Sequence, residues 1–399
     1  MSQNNSKKLF IIFLTVFLDL LGFGVIIPLS PFFAKQYGAS PQLIGILAST
    51  YSAMQFIFAP LWGTLSTYVG RRPILLIGAL GTSLSMLAFG LANSLFWLFL
   101  ARLLGGIATA NLSVAQAYIA DITDEQNRAK GMGLFGAAFG LGFIFGPALG
   151  GILGATNHAL PGLVTAGISL INFIFIYLYV EESLPEQIRQ QVRKKPSHHQ
   201  RKLIFSKQGL FHPALGRLLF IFFITTLAFS NLEGTFALFT HARLGFQTRE
   251  VGYALSYAGI LAVLIQGGLI GQLTRRFGEK KLLAVGLLLV GAGMALYFLV
   301  WSIKALLVCL TLGSIGLGLC NPSMTSLVSK SCAQEERGTI MGVQQSLGSL
   351  GRILGPISGG FLFEQPYLHH ALPYCFGALL FLGAWVLSFG ATTRIQQQK

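Results

Sequence analysis

Long apolar runs separated by short polar ones make up almost the whole chain. Runs near 20 mostly apolar residues, the length that crosses a hydrocarbon core, fall at 9–33, 42–65, 73–93, 95–120, 129–153 and 160–181. They resume at 214–241, 250–273, 281–300, 303–329, 338–362 and 371–391. Twelve spans are predicted. They must be helices, because an open sheet edge in lipid leaves backbone groups unpaired. The short alternating segments of a transmembrane barrel are absent. The predicted fold class is therefore all-α, a polytopic membrane protein. The longest hydrophilic stretch, 182–213, contains IRQQVRKKPSHHQRKL and reads as a cytoplasmic linker between six-helix bundles at 1–181 and 214–399.

Composition agrees with this pattern. Hydrophobic residues are 53% of the 399 and charged residues 10%, against about 25% charged in soluble domains. Four cysteines exclude a disulfide-stapled secreted domain, and the hydrophobicity excludes disorder.

The net charge of +15 resembles a nucleic-acid footprint, but the 28 Lys and Arg cluster between spans, so no nucleic-acid partner is expected. With both termini cytoplasmic, inside segments hold 22 of these and outside segments only Lys35, Arg243, Arg249 and Lys304. That asymmetry is the positive-inside rule. The basic start and first apolar run also suit a signal peptide, but the run is long, contains Asp19 and lacks a small-residue cleavage site. It is read as a retained helix. The basic linker suits anionic lipid, and its His198–His199 pair is read as solvated rather than metal-binding.

The halves repeat each other. RAKGMGLFGAAFGLGFIFGPALGG, from Arg128 to Gly151, matches RGTIMGVQQSLGSLGRILGPISGG, from Arg337 to Gly360. GTLSTYVGRRP (Gly63–Pro73) echoes GQLTRRFGEKK (Gly271–Lys281) between the second and third spans of each half. Six spans per half give both halves one orientation, with a pathway between them.

Four segments carry a family resemblance over essentially the whole chain. They are DLLGFGVIIPLSPFF (Asp19–Phe33), GTLSTYVGRRP, LARLLGGIATA (Leu100–Ala110) and GFIFGPALGG (Gly142–Gly151). In this order, with twelve spans and an internal repeat, they resemble the major facilitator superfamily, and within it the twelve-helix drug–proton antiporters including the tetracycline-efflux branch. The resemblance implies a fold of two six-helix bundles and proton-coupled export of a small lipophilic or drug-like compound by alternating access. The alternative is proton-coupled uptake, or facilitated diffusion, of a nutrient or metabolite.

Charged residues inside spans are the first site candidates. Asp19 lies about halfway along the first span, where a carboxylate is expensive and usually functional. The bland reading is a helix–helix hydrogen bond. Arg102, ahead of Gly105–Gly106, keeps its charge and needs partners or a route to the interface. The resemblance implies proton coupling for both. Glu233, within FSNLEGTF, is the acidic residue well inside the C-terminal half, a candidate for recognising a cation or for a second protonation site. Arg352 is a candidate for binding an anionic group or compensating Glu233. Asn111, Gln116, Gln266, Asn321 and Gln344 are uncharged cavity candidates, with Gln55 and Gln345. Adjacent Gln344 and Gln345 cannot both face one cavity. Tyr51, Phe56, Phe229 and Phe236 are aromatic candidates for its wall.

Gly142, Gly146, Gly150 and Gly151 recur at helical spacing and smooth one helix face for close packing. Pro147 bends that helix, and Gly355–Pro356 repeat the motif. With Gly63, Gly70, Arg71 and Arg72 these are gating and packing candidates. The family carries an aspartate where this chain has Thr67. That aspartate is taken to latch the cytoplasmic side through a charge-assisted contact, so a latch here is expected around Arg71 with an acid such as Asp121 or Asp124, or else the gate is weaker.

No HExxH, CxxC, GxSxG or GxxxxGK motif occurs, and Cys309, Cys320, Cys332 and Cys375 are scattered. An enzyme is not expected, nor a metal or cofactor. The proton gradient is the expected energy source. Expected partners are a small-molecule substrate, protons and membrane lipid, and a monomer is a possible state. The expected location is a bacterial inner membrane.

Overall fold

The computed structural model describes residues 3–123, 125–187, 189–190, 213–331, 337–365 and 367–392. Most of the predicted linker, with His198 and His199, lies outside them, as do Asp124, Cys332 and the side chains of Arg128 and Arg337. Twelve helical stretches follow the twelve predicted spans. They are α1 (Gln3–Gln36), α2 (Pro41–Val69), α3 (Arg71–Gly90), α4 (Leu95–Thr109, resuming over Leu112–Ile122), α5 (Glu125–Thr156) and α6 (Leu160–Tyr179). The second set is α7 (Pro213–Leu244), α8 (Thr248–Leu264, a π turn at Ile265–Leu269, then Ile270–Phe277), α9 (Glu279–Ala295), α10 (Ile303–Lys330), α11 (Arg337–Glu364) and α12 (Leu372–Thr392). Among the described residues ten are long and apolar enough to cross a membrane. The Gly-Pro helices α5 and α11 complete the twelve.

The chain divides into two compact units. One comprises 1–39, 50–197 and 247–256, the other 40–49, 198–246 and 257–399. Each is assembled in the same way. In the first, α1 packs on α5 and α6, and α3 packs on α4 and α6. In the second, α7 packs on α11 and α12, and α9 packs on α10 and α12. Lipid tails are as apolar as Leu, so burial alone does not drive these pairings. Small residues do much of the work. A Cβ on Gly162 of α6 would sit 2.6 Å from the Gly90 Cα of α3, and one on Gly286 of α9 would sit 2.7 Å from the Gly316 carbonyl oxygen of α10.

Three local features depart from the sequence reading. GTLSTYVGRRP is not mainly loop, since Gly63–Val69 continue α2 and only Gly70 makes the turn. The fourth span is interrupted at Ala110–Asn111. The eighth span carries the π turn, over IQGGL. A π bulge inserts into a helical ladder and often marks a functional position.

Candidate functional site

Asp19 lies on α1 with 3% of its surface exposed. Thr82 of α3 donates to its Oδ1 at 2.9 Å. Its Oδ2 is buried with no hydrogen-bond partner among the described residues. A carboxylate oxygen left bare in an apolar interior is costly, whereas a carboxylic acid there carries its proton on that atom. Thr82 and Ser85 share one face of α3, three residues apart. Ser85 donates to the Ala101 carbonyl at 2.8 Å, next to Arg102. One face of α3 thus holds both the carboxyl on α1 and the arginine turn of α4.

Arg102 is 4% exposed, so it does not snorkel to the membrane surface. Its guanidinium lies over the Tyr51 ring, 5.7 Å from the centroid, which gives the cation a π face in place of water. Thr109 donates to the Tyr51 hydroxyl at 2.7 Å, and Gln55 donates to Thr109 at 3.1 Å. Gly105 and Gly106 make this approach possible. A Cβ on Gly106 would overlap the Tyr51 carbonyl oxygen, and one on Gly105 would sit 2.7 Å from Ser85 Oγ. The double glycine therefore admits α2 and α3 to α4 at the arginine.

Just beyond, the break in α4 places Asn111, 1% exposed, with both amide atoms lacking hydrogen-bond partners among the described residues. Asn111 fills the space that Gly78 leaves on α3. Its N–H turns to Ala108 at 3.4 Å, so the Ile107 carbonyl is served instead by the Trp62 indole N–H at 2.7 Å.

The other candidates stand elsewhere. Gln116 is half-buried on α4. In the second unit Glu233 is half-buried on α7, and Arg352 on α11 donates to Ser349 at 3.0 Å. Gln344 is buried, Gln345 exposed, and Gln266 of the π turn and Asn321 of α10 are exposed. Phe236 is buried and Phe56 exposed.

The glycines of α5 serve two neighbours. Gly142, Gly146 and Gly150 abut Leu20, Gly24 and Val25 of α1, while Gly151 abuts Thr248 at the start of α8. In α11, Gly355 abuts Leu227 and Ser230 of α7.

At the α2–α3 turn, Gly70 takes φ 108°, a conformation that favours glycine. The Glu182 carboxylate occupies the space a side chain there would need. It accepts from the backbone N–H of Arg71 at 2.7 Å and of Arg72 at 3.1 Å, capping α3 with a negative charge. The Arg71 side chain reaches Asp121 at 3.3 Å and Ser66 at 2.5 Å. Thr67 bonds back to the Thr64 carbonyl of its own helix. In the second unit Glu279, first residue of α9, pairs with Lys330 at the end of α10 and accepts from Ser326 at 3.0 Å.

Sequence reasoning missed Thr82, Ser85 and Glu182. Hydroxyls in apolar helices commonly bond back to their own helix, so nothing in the run marks the ones that reach across. Among the described residues no group of three or more His, Cys, Asp or Glu is placed to hold a metal ion.

A family model described as Major Facilitator Superfamily matches residues 12–356 and again 218–394. The chain belongs to the major facilitator superfamily. Multidrug resistance protein 2 of Bacillus subtilis (strain 168) is 32% identical over 387 residues, 96% of this chain and 94% of that protein. Tetracycline resistance protein, class E, of Escherichia coli is 31% identical over 363 residues, covering 88% and 86%. Among solved structures, the human organic anion transporter MFSD10 superposes with a TM-score of 0.72 at 25% identity, covering 96% of this chain and 99% of that one. This superfamily member is a secondary active transporter and not an enzyme. It is a multi-pass protein of a lipid bilayer that moves a small molecule.

Proposed function

We propose that the chain exports a small lipophilic compound in exchange for protons, with Asp19 as the proton carrier. The observation that supports this most is the Asp19 carboxyl itself, held by one hydroxyl and with its second oxygen buried and unpartnered. Taking a proton removes the cost of the buried charge, and meeting water or a cationic substrate offsets it. Arg102, fixed over the Tyr51 ring, is the second coupling candidate, linked to the same face of α3 through Ser85 and the Ala101 carbonyl. The substrate-contacting candidates are Glu233, Arg352, Asn111, Gln116, Gln266, Asn321 and Gln344. The names of the multidrug and tetracycline resistance relatives favour efflux of such compounds over nutrient uptake.

Both termini face the cytoplasm in this reading, with bundles 1–181 and 214–399 joined through 182–213, as the distribution of basic residues favours. An introduced cysteine at Ser197 should then escape an impermeant thiol reagent added to intact cells, while one at Asn157 reacts.

Transport is tested in everted membrane vesicles with an acidified lumen, using ethidium and tetracycline as probes. Export predicts that a probe accumulates in the lumen and discharges the pH gradient. Accumulation by energised intact cells instead would favour uptake.

A further inference from the structure

Asp19 lies on a polar seam inside the first unit, where α1 meets α6. At one end of it the Asn172 amide of α6 donates to Thr15 Oγ1 of α1 at 3.3 Å. At the other, a Cβ on Gly22 of α1 would sit 3.6 Å from Thr165 Cγ2 of α6. The helices are antiparallel, and the two contacts are seven residues apart on each. Thr15, Asp19 and Gly22 share one face of α1, and Asn172, Ser169 and Thr165 share one face of α6. Ser169 is three residues from Asn172 and Asp19 is four from Thr15, so the two stand within about 1.5 Å of one level. The third side is α3. Its Thr82 donates to Asp19 at 2.9 Å, and the adjacent Ser83 donates to the Ala166 carbonyl of α6 at 2.9 Å.

Thr165 is occupied with the Pro161 carbonyl of its own helix, at 2.7 Å. Ser169 makes no such bond. It is 2% exposed, and its Oγ has no hydrogen-bond partner among the described residues, as Asp19 Oδ2 has none. Serine in an apolar helix can bond back one turn, and a buried hydroxyl without a partner is costly. Two such atoms therefore face each other across the seam. Packing does not demand polarity here. The corresponding junction of α7, α9 and α12 in the second unit is filled by Ile221, Val290, Phe381 and Ala384 of one apolar cluster. Of the helices packed on α1, α6 has no acidic or basic side chain, and α3 has only Arg71 and Arg72, at its start. The charges of α5 are Glu125, Arg128 and Lys130, at its start, and α4 brings Arg102 and, at its end, Asp121.

We propose that Ser169 is the second partner of Asp19, a positioning residue that serves the carboxyl in both of its proton states. A hydroxyl can donate and accept. When Asp19 is protonated, its Oδ2–H donates to Ser169 Oγ. When that proton passes to water, Ser169 turns its own O–H to the Oδ2 of the carboxylate. Ser169 keeps its proton throughout, and no other bond forms or breaks. A side-chain rotation or one bridging water joins the two oxygens. The carboxyl thus changes charge while α1, α3 and α6 stay joined. This rests on Asp19 as the proton carrier.

The test is infrared difference spectroscopy of the full-length protein in lipid, across a pH jump and with no substrate added. The carbonyl stretch of protonated Asp19 is the band that Asp19→Asn removes. That stretch rises when the carboxyl loses a hydrogen bond. Ser169→Ala should raise it, Ser169→Cys, a weaker partner of similar size, should raise it less, and Ser169→Thr should leave it in place. Ser83→Ala breaks the neighbouring α3–α6 bond and should not move it, which separates a contact with Asp19 from a loosened junction. In proteoliposomes Ser169→Ala should slow probe-driven proton release about two- to tenfold with the KM for the probe unchanged. The proposal is overturned if the band stays in place in Ser169→Ala, if Ser83→Ala moves it as far, or if no band depends on Asp19 at any pH. A change in KM alone would overturn it too, by placing Ser169 on the substrate. A band that moves with Ser169 while Asp19→Asn still transports fully would uphold the contact and remove Asp19 as the carrier.

Discussion

Arg71 and Glu279 occupy the same place in the two halves and carry opposite charges. Each is the first residue of its helix, α3 or α9, directly after a glycine with positive φ. Each pairs with the end of the next helix, Arg71 with Asp121 of α4 and Glu279 with Lys330 of α10. The repeat has kept the ion pair and exchanged its signs. The family aspartate replaced by Thr67 is thus not the only route to a charge contact at this turn. Arg71→Ala should weaken export severalfold, and Arg71→Glu should do more harm by facing Asp121 and Glu182 with a like charge. Adding Asp121→Lys to Arg71→Glu should recover part of the loss, as the second half already uses that polarity. The pair is partly exposed, with side chains 13% and 25% accessible, so its coupling in a double-mutant cycle should be about 1 kcal/mol or less. Unchanged probe export by Arg71→Ala would remove the latch role.

Much of the fold is legible in the sequence because membrane spans obey a length rule that soluble helices do not. Asp19 and Arg102 stand out for a similar reason, since a charge in hydrocarbon is costly wherever it sits. The features that were not legible depend on a neighbour. The break in α4 falls at Ala110–Asn111, where no proline or glycine marks it, and it persists because Trp62 takes the Ile107 carbonyl. Thr82 and Ser85 look like any small polar residue in an apolar run until α1 and α4 are placed beside them. Glu182 sits just past α6, and only the turn at Gly70 gives its carboxylate two N–H groups to hold.

Gly70 should not tolerate a side chain. Its φ of 108° is strained for any other residue, and the Glu182 carboxylate fills the space beside it. Gly70→Ala should cost about 1–3 kcal/mol of stability, seen as a lowered melting temperature in detergent. Glu182→Gln keeps the shape and removes the charge, so it should cost less. Equal melting of Gly70→Ala and the parent protein would show that the turn relaxes freely.

Trp62→Phe should loosen the α4 break. The indole N–H is the donor to the Ile107 carbonyl, and phenylalanine fills most of the volume without it. A buried carbonyl left without a partner costs about 1–3 kcal/mol. The expected result is a lower melting temperature and faster amide exchange around Ile107–Asn111 than in the rest of α4. Uniform exchange along α4 in the variant would mean the break does not depend on the tryptophan.

Asp19→Asn is the sharpest test of the proton route. The amide keeps the shape of the carboxyl and can accept from Thr82, so the α1–α3 contact and the fold should survive. What it loses is the ability to take up and release a proton. In everted vesicles the variant should bind ethidium or tetracycline but neither accumulate it nor discharge the pH gradient. Thr82→Val removes the one hydroxyl on Oδ1 and leaves the carboxyl itself intact. It should retain proton-driven transport, because the titrating group is still present. Glu233→Gln should instead change which probe is preferred, with proton discharge preserved for at least one of them. Full gradient-driven accumulation by Asp19→Asn would rule out Asp19 as the carrier. Loss of coupling in Glu233→Gln alone would move that role to α7.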